Sequence, residues 1–169
     1  DDCTRYRVLR LYNRRTAANT LDFLDCVIEE MPFPIQRVQT DRGLEFFAEK
    51  VQKKMMEYGI KFRPNKPGSP HLNGKVERSQ KTDKTEFYAT VDITSENLQD
   101  QLAEWQHYYN WLRPHSALKG KTPMERYFEL SEETPFSDEV QNQYNPSDER
   151  IQNANYKVDL EIAKLKRSL

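Results

Sequence analysis

At 169 residues, with 36% hydrophobic and 31% charged side chains, the chain is long enough for one domain with a real core plus an appendage, and too apolar for a disordered polyelectrolyte. A net charge of −1 argues against a protein that simply coats nucleic acid, and no apolar run approaches the ~20 residues of a membrane span or reads as a signal peptide. Cys3 and Cys26 form no CxxC pair and have no histidine at zinc-finger spacing, which favours reduced thiols in a cytoplasmic protein over a disulfide or metal role.

Residues 5–12 (RYRVLRLY) alternate apolar side chains with arginines and predict a strand with one basic, wetter face. Thr16 suits the N-cap of a helix carrying Leu21, Leu24, Val27, Ile28 and Met31 at three- and four-residue spacing, ended by Pro32 and Pro34. Residues 35–40 predict a short strand that runs straight into Asp41-Arg42-Gly43. Residues 44–58 predict a helix with Phe46, Phe47, Val51, Met55 and Tyr58 inward, and Gly59 suits a left-handed cap just past its end. Residues 60–63 predict a third short strand.

Three prolines and a glycine between Pro64 and Asn73 forbid helix and ladder, so this stretch is a loop, and a helical pattern follows from 72 to 88. Ser95 suits the N-cap of a helix through Leu98, Leu102, Trp105, Tyr108, Tyr109 and Leu112, stopped by Pro114; the aromatics in it read as core. Thr122-Pro123 reads as the capped start of a short helix. Residues 129–146 are acidic and turn-rich and read as a linker. Beyond it Ile151, Ala154, Val158, Ile162, Leu165 and Leu169 fall near one stripe, predicting a helix that packs on the core or on another copy. The alternation of strands and helices, followed by helices alone, indicates an α/β domain over 1–130 with a short sheet, then an acidic linker and helix over 131–169.

Two carboxylates stand out. Asp41 follows a predicted strand at the point where the chain leaves the sheet, rigidly held yet exposed; the bland reading is a turn cap. Glu77 opens the helix after the proline-rich loop, where Asn73, Glu77, Lys81 and Lys84 share one face; the bland reading is a solvated salt-bridge ladder. Together, with 35 residues between them and Gly68 and Gly74 in the connection, they suit a pair of hard oxygen ligands for Mg²⁺, with the lysines placed for a phosphate backbone. Residues 1–90 carry 17 Lys and Arg against 13 Asp and Glu, and residues 91–169 carry 9 against 14, so the first half is the better phosphate-facing surface. His71 lies in the loop, as a DNA contact or a plain surface residue. His115 reads as fixing the turn after the long helix. Arg5, Arg7 and Arg10 line a nucleic-acid surface or keep an edge strand soluble.

The stretches QTDRGLEF (39–46), PGSPHLNGKVERSQKT (67–82), YNWLRPHSAL (109–118) and KTPMERY (121–127) resemble the integrase-like family of insertion-sequence transposases, relatives of retroviral integrases with a ribonuclease-H-like core. The resemblance covers residues 1 to about 130 and includes the family's 35-residue interval between its second and third carboxylates. It implies a DDE polynucleotidyl transferase that cleaves element ends and joins them to target DNA, using two Mg²⁺ or Mn²⁺ ions and working as a homo-oligomer. By position, Asp41 and Glu77 are the implied metal ligands, and Asn73, Lys81, Lys84, His71 and Arg78 the implied DNA contacts. The family's first catalytic Asp has no counterpart here: Asp1 and Asp2 resemble its Asp-Asp-x-[Ser/Thr]-Arg turn. The expectation is therefore a ribonuclease-H-like core lacking its first strand, inert alone, with the first Asp upstream. The competing readings are Asp1 or Asp2 as that ligand, a non-catalytic nucleic-acid-binding or assembly module from a decayed element, and a ribonuclease-H-type nuclease.

Overall fold

The computed structural model describes residues 1–67, 69, 74–154, 161 and 165. Helix α1 (Ala17–Glu30) starts where expected, with the Thr16 side chain accepting the Asn19 N–H at 3.2 Å. Strands β1 (Arg37–Thr40) and β2 (Lys61–Pro64) pair in parallel, in register from Arg37↔Lys61 to Thr40↔Pro64. The crossover between them is not the single helix the periodicity suggests. It breaks at Ala48, extended at φ −58° and ψ 128°, into α2 (Leu44–Phe47) and α3 (Glu49–Glu57). The break lets Phe47 of the short piece and Val51 and Met55 of the longer one enter the same core, with Leu24, Ile60 and Phe62. Val51 and Met55 are each 1% exposed, and burial of such side chains contributes about 1.5–3 kcal/mol apiece. Gly59, at φ +67°, ends α3 in the left-handed conformation its position demands.

Residues 5–12 form no strand. Tyr6 and Val8 are buried, but the segment has no ladder partner and its backbone pairs with a helix instead. The N–H groups of Arg7, Leu9 and Leu11 donate to the side-chain carbonyls of Asn110 (3.1 Å), Gln106 (2.5 Å) and Gln99 (3.0 Å) on α5 (Leu98–Trp111), and the Asn110 amide donates back to the Arg7 carbonyl at 2.8 Å. The spacing is physically natural. Two residues of extended chain advance ~6.6 Å, and the four residues from Asn110 to Gln106 advance ~6 Å along a helix. The seven residues to Gln99 advance ~10.5 Å, leaving a gap a glutamine can reach across. The opposite edge, presented by Val8 and Arg10, has no backbone partner among the described residues.

The second half is helical: α4 (Gly74–Thr82), a π-helical turn over Asp83–Phe87, α5, α6 (Pro123–Glu129) and α7 (Ser137–Asn142). Ser95 does not cap α5. Its hydroxyl bonds Asn97 Oδ1, and Asn97 occupies the cap. On α5, Leu98, Leu102, Trp105 and Tyr109 pack with Phe87 as a second core, whereas Tyr108 and Leu112, expected inside, are 43% and 62% exposed because they lie off that stripe. Thr122 forms a full capping box with Glu125, and Pro123 is the first helical residue. The stretch 129–146 contains structure of its own: α7 buries Val140, and Gln141 donates to the Tyr58 carbonyl at 2.9 Å. Past it, Arg63 pairs with Glu149 through two bonds of 2.6 and 2.8 Å. The helix predicted over 151–169 lies largely outside the described residues; 151–154 are irregular, while Glu161 and Leu165 are helical.

Candidate functional site

Asp41 is exposed at the carboxyl end of β1, one residue past the Thr40↔Pro64 pair. Strand β2 ends at Pro64 beside that end, and α4, with Glu77 in its first turn, begins at Gly74; open α/β sheets bind ligands at the carboxyl ends of their strands. Asp41 Oδ1 accepts the Gly43 N–H at 3.0 Å, and the Thr40 hydroxyl donates to the Asp41 carbonyl at 2.7 Å. The turn-cap role is thus real, but it uses one carboxylate oxygen. Oδ2 has no partner among the described residues. Glu77 sits in the first turn of α4, exposed, without a hydrogen bond or ion pair to any described residue, and the Glu77–Lys81 ladder does not form.

Lys81, Lys84 and Arg78 are exposed, Arg78 accepting a 3.2 Å bond from the Thr82 hydroxyl on its carbonyl. His71 and Asn73 lie outside the described residues. No residue of α4 is buried, so no apolar face seats it. Its seat is polar: Lys75, Ser79 and Asp83, four residues apart on one stripe, bond Asp2 (2.6 Å), Arg7 (2.7 Å) and Arg7 (3.1 Å). At ~100° per residue, Glu77 and Lys81 lie about 160° from Ser79. The basic and acidic candidates therefore face away from the core.

Free carboxylate oxygens on exposed, backbone-anchored positions are the hard donors that Mg²⁺ takes, one or two carboxylates with water completing the shell. Asp41 and Glu77 fit that donor set. Among the described residues no group of three or more His, Cys, Asp or Glu is arranged to hold a metal ion. Asp1 and Asp2 are engaged locally: Asp1 Oδ2 accepts from the Cys3 and Thr4 N–H groups and the Thr4 hydroxyl, and Asp2 pairs with Arg5 and Lys75.

Sequence reasoning missed the role of Arg7. It is neither a nucleic-acid contact nor a solubilising edge residue but a buried cation, 8% exposed. Its guanidinium lies 3.1 Å from the Tyr109 ring centroid and joins Ser79 and Asp83, while Trp105 Nε1 donates to Asp83 Oδ1 at 2.8 Å. Arg7 Nη2 is 2.9 Å from Asp83 Oδ1, off-angle for a hydrogen bond, so that contact is coulombic. Burial lowers the Arg7 pKa and Asp83 opposes the shift. Beside it, Arg113 forms a bidentate pair with Glu86 (2.6 and 2.7 Å), holding that carboxylate below its usual range. The His115 carbonyl accepts the Leu118 and Gly120 N–H groups at 2.9 Å, and its ring lies edge-on to Tyr109 at 4.5 Å. The alternation of 5–12 carries no signal for any of this, because the partners lie 72 to 103 residues away.

Two family models, both described as "Integrase core domain", match residues 1–70 and 58–123. The chain is 30% identical over 103 residues to the transposase for insertion sequence element IS904 of Lactococcus lactis, covering 60% of this chain and 41% of that protein. It is 26% identical over 140 residues to the candidate integrase ORF3 of Spiroplasma virus SpV1-C74, covering 73% and 39%. The chain thus spans about two fifths of the length of these relatives. In fold it is similar to the catalytic core domain of BIV integrase, with a TM-score of 0.57 at 22% identity over 73% of this chain and 78% of that one. The two-stranded parallel sheet with flanking helices is thereby a ribonuclease-H-like core with further helices at its C-terminal side.

Proposed function

The chain belongs to the integrase-like family of DDE transposases, and from that premise we propose that it supplies two of the three carboxylates of a site for DNA transposition or integration. The observation that carries this reading is that Asp41, at the end of β1, and Glu77, in the first turn of α4, are both exposed and both keep a carboxylate oxygen without a partner among the described residues. Asp41 and Glu77 would hold the divalent metals, which would supply Lewis-acid stabilisation of charge in a phosphoryl transfer. Asp41 keeps its orientation through the Gly43 N–H, which leaves the second oxygen for ligation. Lys81, Lys84 and Arg78 pair with the phosphates of the DNA end, with Asn73 and His71, just before α4 in the chain, as further contacts. No protein nucleophile is required, because water and then the freed 3′-hydroxyl attack.

The Val8–Arg10 edge of the extended segment has no backbone partner among the described residues, so a further strand could pair there. The protein acts as a homo-oligomer on element ends and target DNA in the cytoplasm. Strand transfer by the full-length protein, measured with Mg²⁺ on a labelled end, tests the site: Asp41→Asn and Glu77→Gln each reduce it to background. Intact transfer in both variants would sink the assignment.

A further inference from the structure

The geometry points to Arg7 and Asp83 as positioning residues that set the rotation of α4 and so present Glu77. This rests on the reading of Glu77 as a metal ligand, and it goes beyond that reading by naming what holds the ligand in place.

A helix normally finds its rotation by burying an apolar stripe. Helix α4 has none: no residue of Gly74–Thr82 is buried, and Val76 is 55% exposed. The first buried side chain is Phe87, at the end of the π-helical turn. What fixes the helix is therefore the stripe opposite Glu77. One guanidinium, Arg7, reaches both Ser79 and Asp83, one helical turn apart, and cannot do so if α4 rotates by one residue. Arg7 is itself immobilised, by Tyr109 beneath its plane and by the Asn110 side chain on its backbone N–H and carbonyl. Asp83 is held from the other side by the Trp105 indole N–H. At that residue the helix changes to π geometry, so the widened turn begins where the clamp closes. Lys75–Asp2 is an exposed third tie, of a kind that contributes little. Glu77 lies between the Asp2 and Arg7 ties on the opposite face.

Both bonds leave one nitrogen, Nη1, which is held in place by the flat guanidinium lying on the Tyr109 ring, and an ammonium has no such plane. Asp83→Asn keeps an acceptor for Trp105 but removes the charge opposing Arg7; Arg7→Lys keeps the charge but loses the planar group seated on Tyr109. The first measurement uses the metal-free protein. Amide hydrogen exchange in either variant rises about tenfold or more across residues 75–87, while α3, in the other core, is unchanged. The second is strand transfer by the full-length protein: a displaced ligand costs up to ~100-fold in rate with Mg²⁺, with DNA-end affinity nearly unchanged. Transfer recovers in part with Mn²⁺, because Mg²⁺ demands near-ideal octahedral geometry.

Unchanged exchange over 75–87 in both variants, or an equal rise in α3, overturns the proposal, as does normal Mg²⁺ transfer alongside a local rise in exchange. Glu77→Gln separates the two levels. If that variant transfers normally, the metal-ligand reading is wrong, whereas full loss in Glu77→Gln with no defect in Asp83→Asn and Arg7→Lys rejects only the positioning role.

Discussion

Asn110 offers a direct measure of what happens when a helix stands in for a strand. It is 1% exposed, accepts the Arg7 N–H at 3.1 Å and donates to the Arg7 carbonyl at 2.8 Å. Asn110→Ala leaves one buried donor and one buried acceptor on the Arg7 backbone. Each unsatisfied group costs about 1–3 kcal/mol, so the variant loses roughly 2–6 kcal/mol. At about 2–4 °C per kcal/mol for a domain of this size, Tm falls by roughly 4–24 °C. Gln99, at the exposed end of the same ladder, bonds the Leu11 N–H, where water replaces the amide; Gln99→Ala costs within about 0.5 kcal/mol. Gln106→Ala falls between them, since Gln106 serves the half-buried Leu9 N–H and also donates to Glu30 at 2.9 Å. Urea titrations followed by circular dichroism give the three values. Equal losses along the ladder, or a loss below about 1 kcal/mol for Asn110→Ala, would refute the view that these amides replace a strand edge.

Two further outcomes follow from local geometry. Gly59 and Gly120 both have positive φ, at +67° and +87°, but a Cβ on Gly59 would sit 2.5 Å from Gln141 Oε1, whereas one on Gly120 meets nothing within 4 Å. Both alanine variants carry the left-handed penalty of about 1–2 kcal/mol, and Gly59→Ala alone also loses the Gln141–Tyr58 bond, a further ~1 kcal/mol; equal denaturation midpoints would refute this. His115 is held below its ordinary value of 6.5, first by burial and then by Arg113. The unfolded chain then takes the proton before the folded one, so this stability is full above pH 6.5 and is lost as pH falls from there toward the lowered folded value. Melts between about pH 5 and 7 show a steeper fall for the wild type than for His115→Gln, and parallel curves would remove His115 as the cause.

The sequence by itself determined what short-range chemistry decides. Thr16 and Thr122 begin helices because a hydroxyl reaches an N–H three residues on, and Gly59 ends one because it needs no Cβ. Asp41 and Glu77 were legible for a similar reason: one follows a four-residue strand, the other opens a helix after a proline-rich loop, and their interval is a property of the chain alone. The break at Ala48 was not legible, because Phe47 turns inward only in answer to Phe62 and Leu24. Nor was the fate of residues 5–12. An alternating segment states that one face is apolar, but not whether its backbone meets a strand or the amides of a helix. Only the tertiary structure set Asn110 beside Arg7, and Arg7 beneath Ser79 and Asp83. Burying a guanidinium is unfavourable unless its partners converge on it, and those partners come from segments far apart in the chain. The candidate ligands could thus be read residue by residue, while the arrangement that orients one of them exists only after folding.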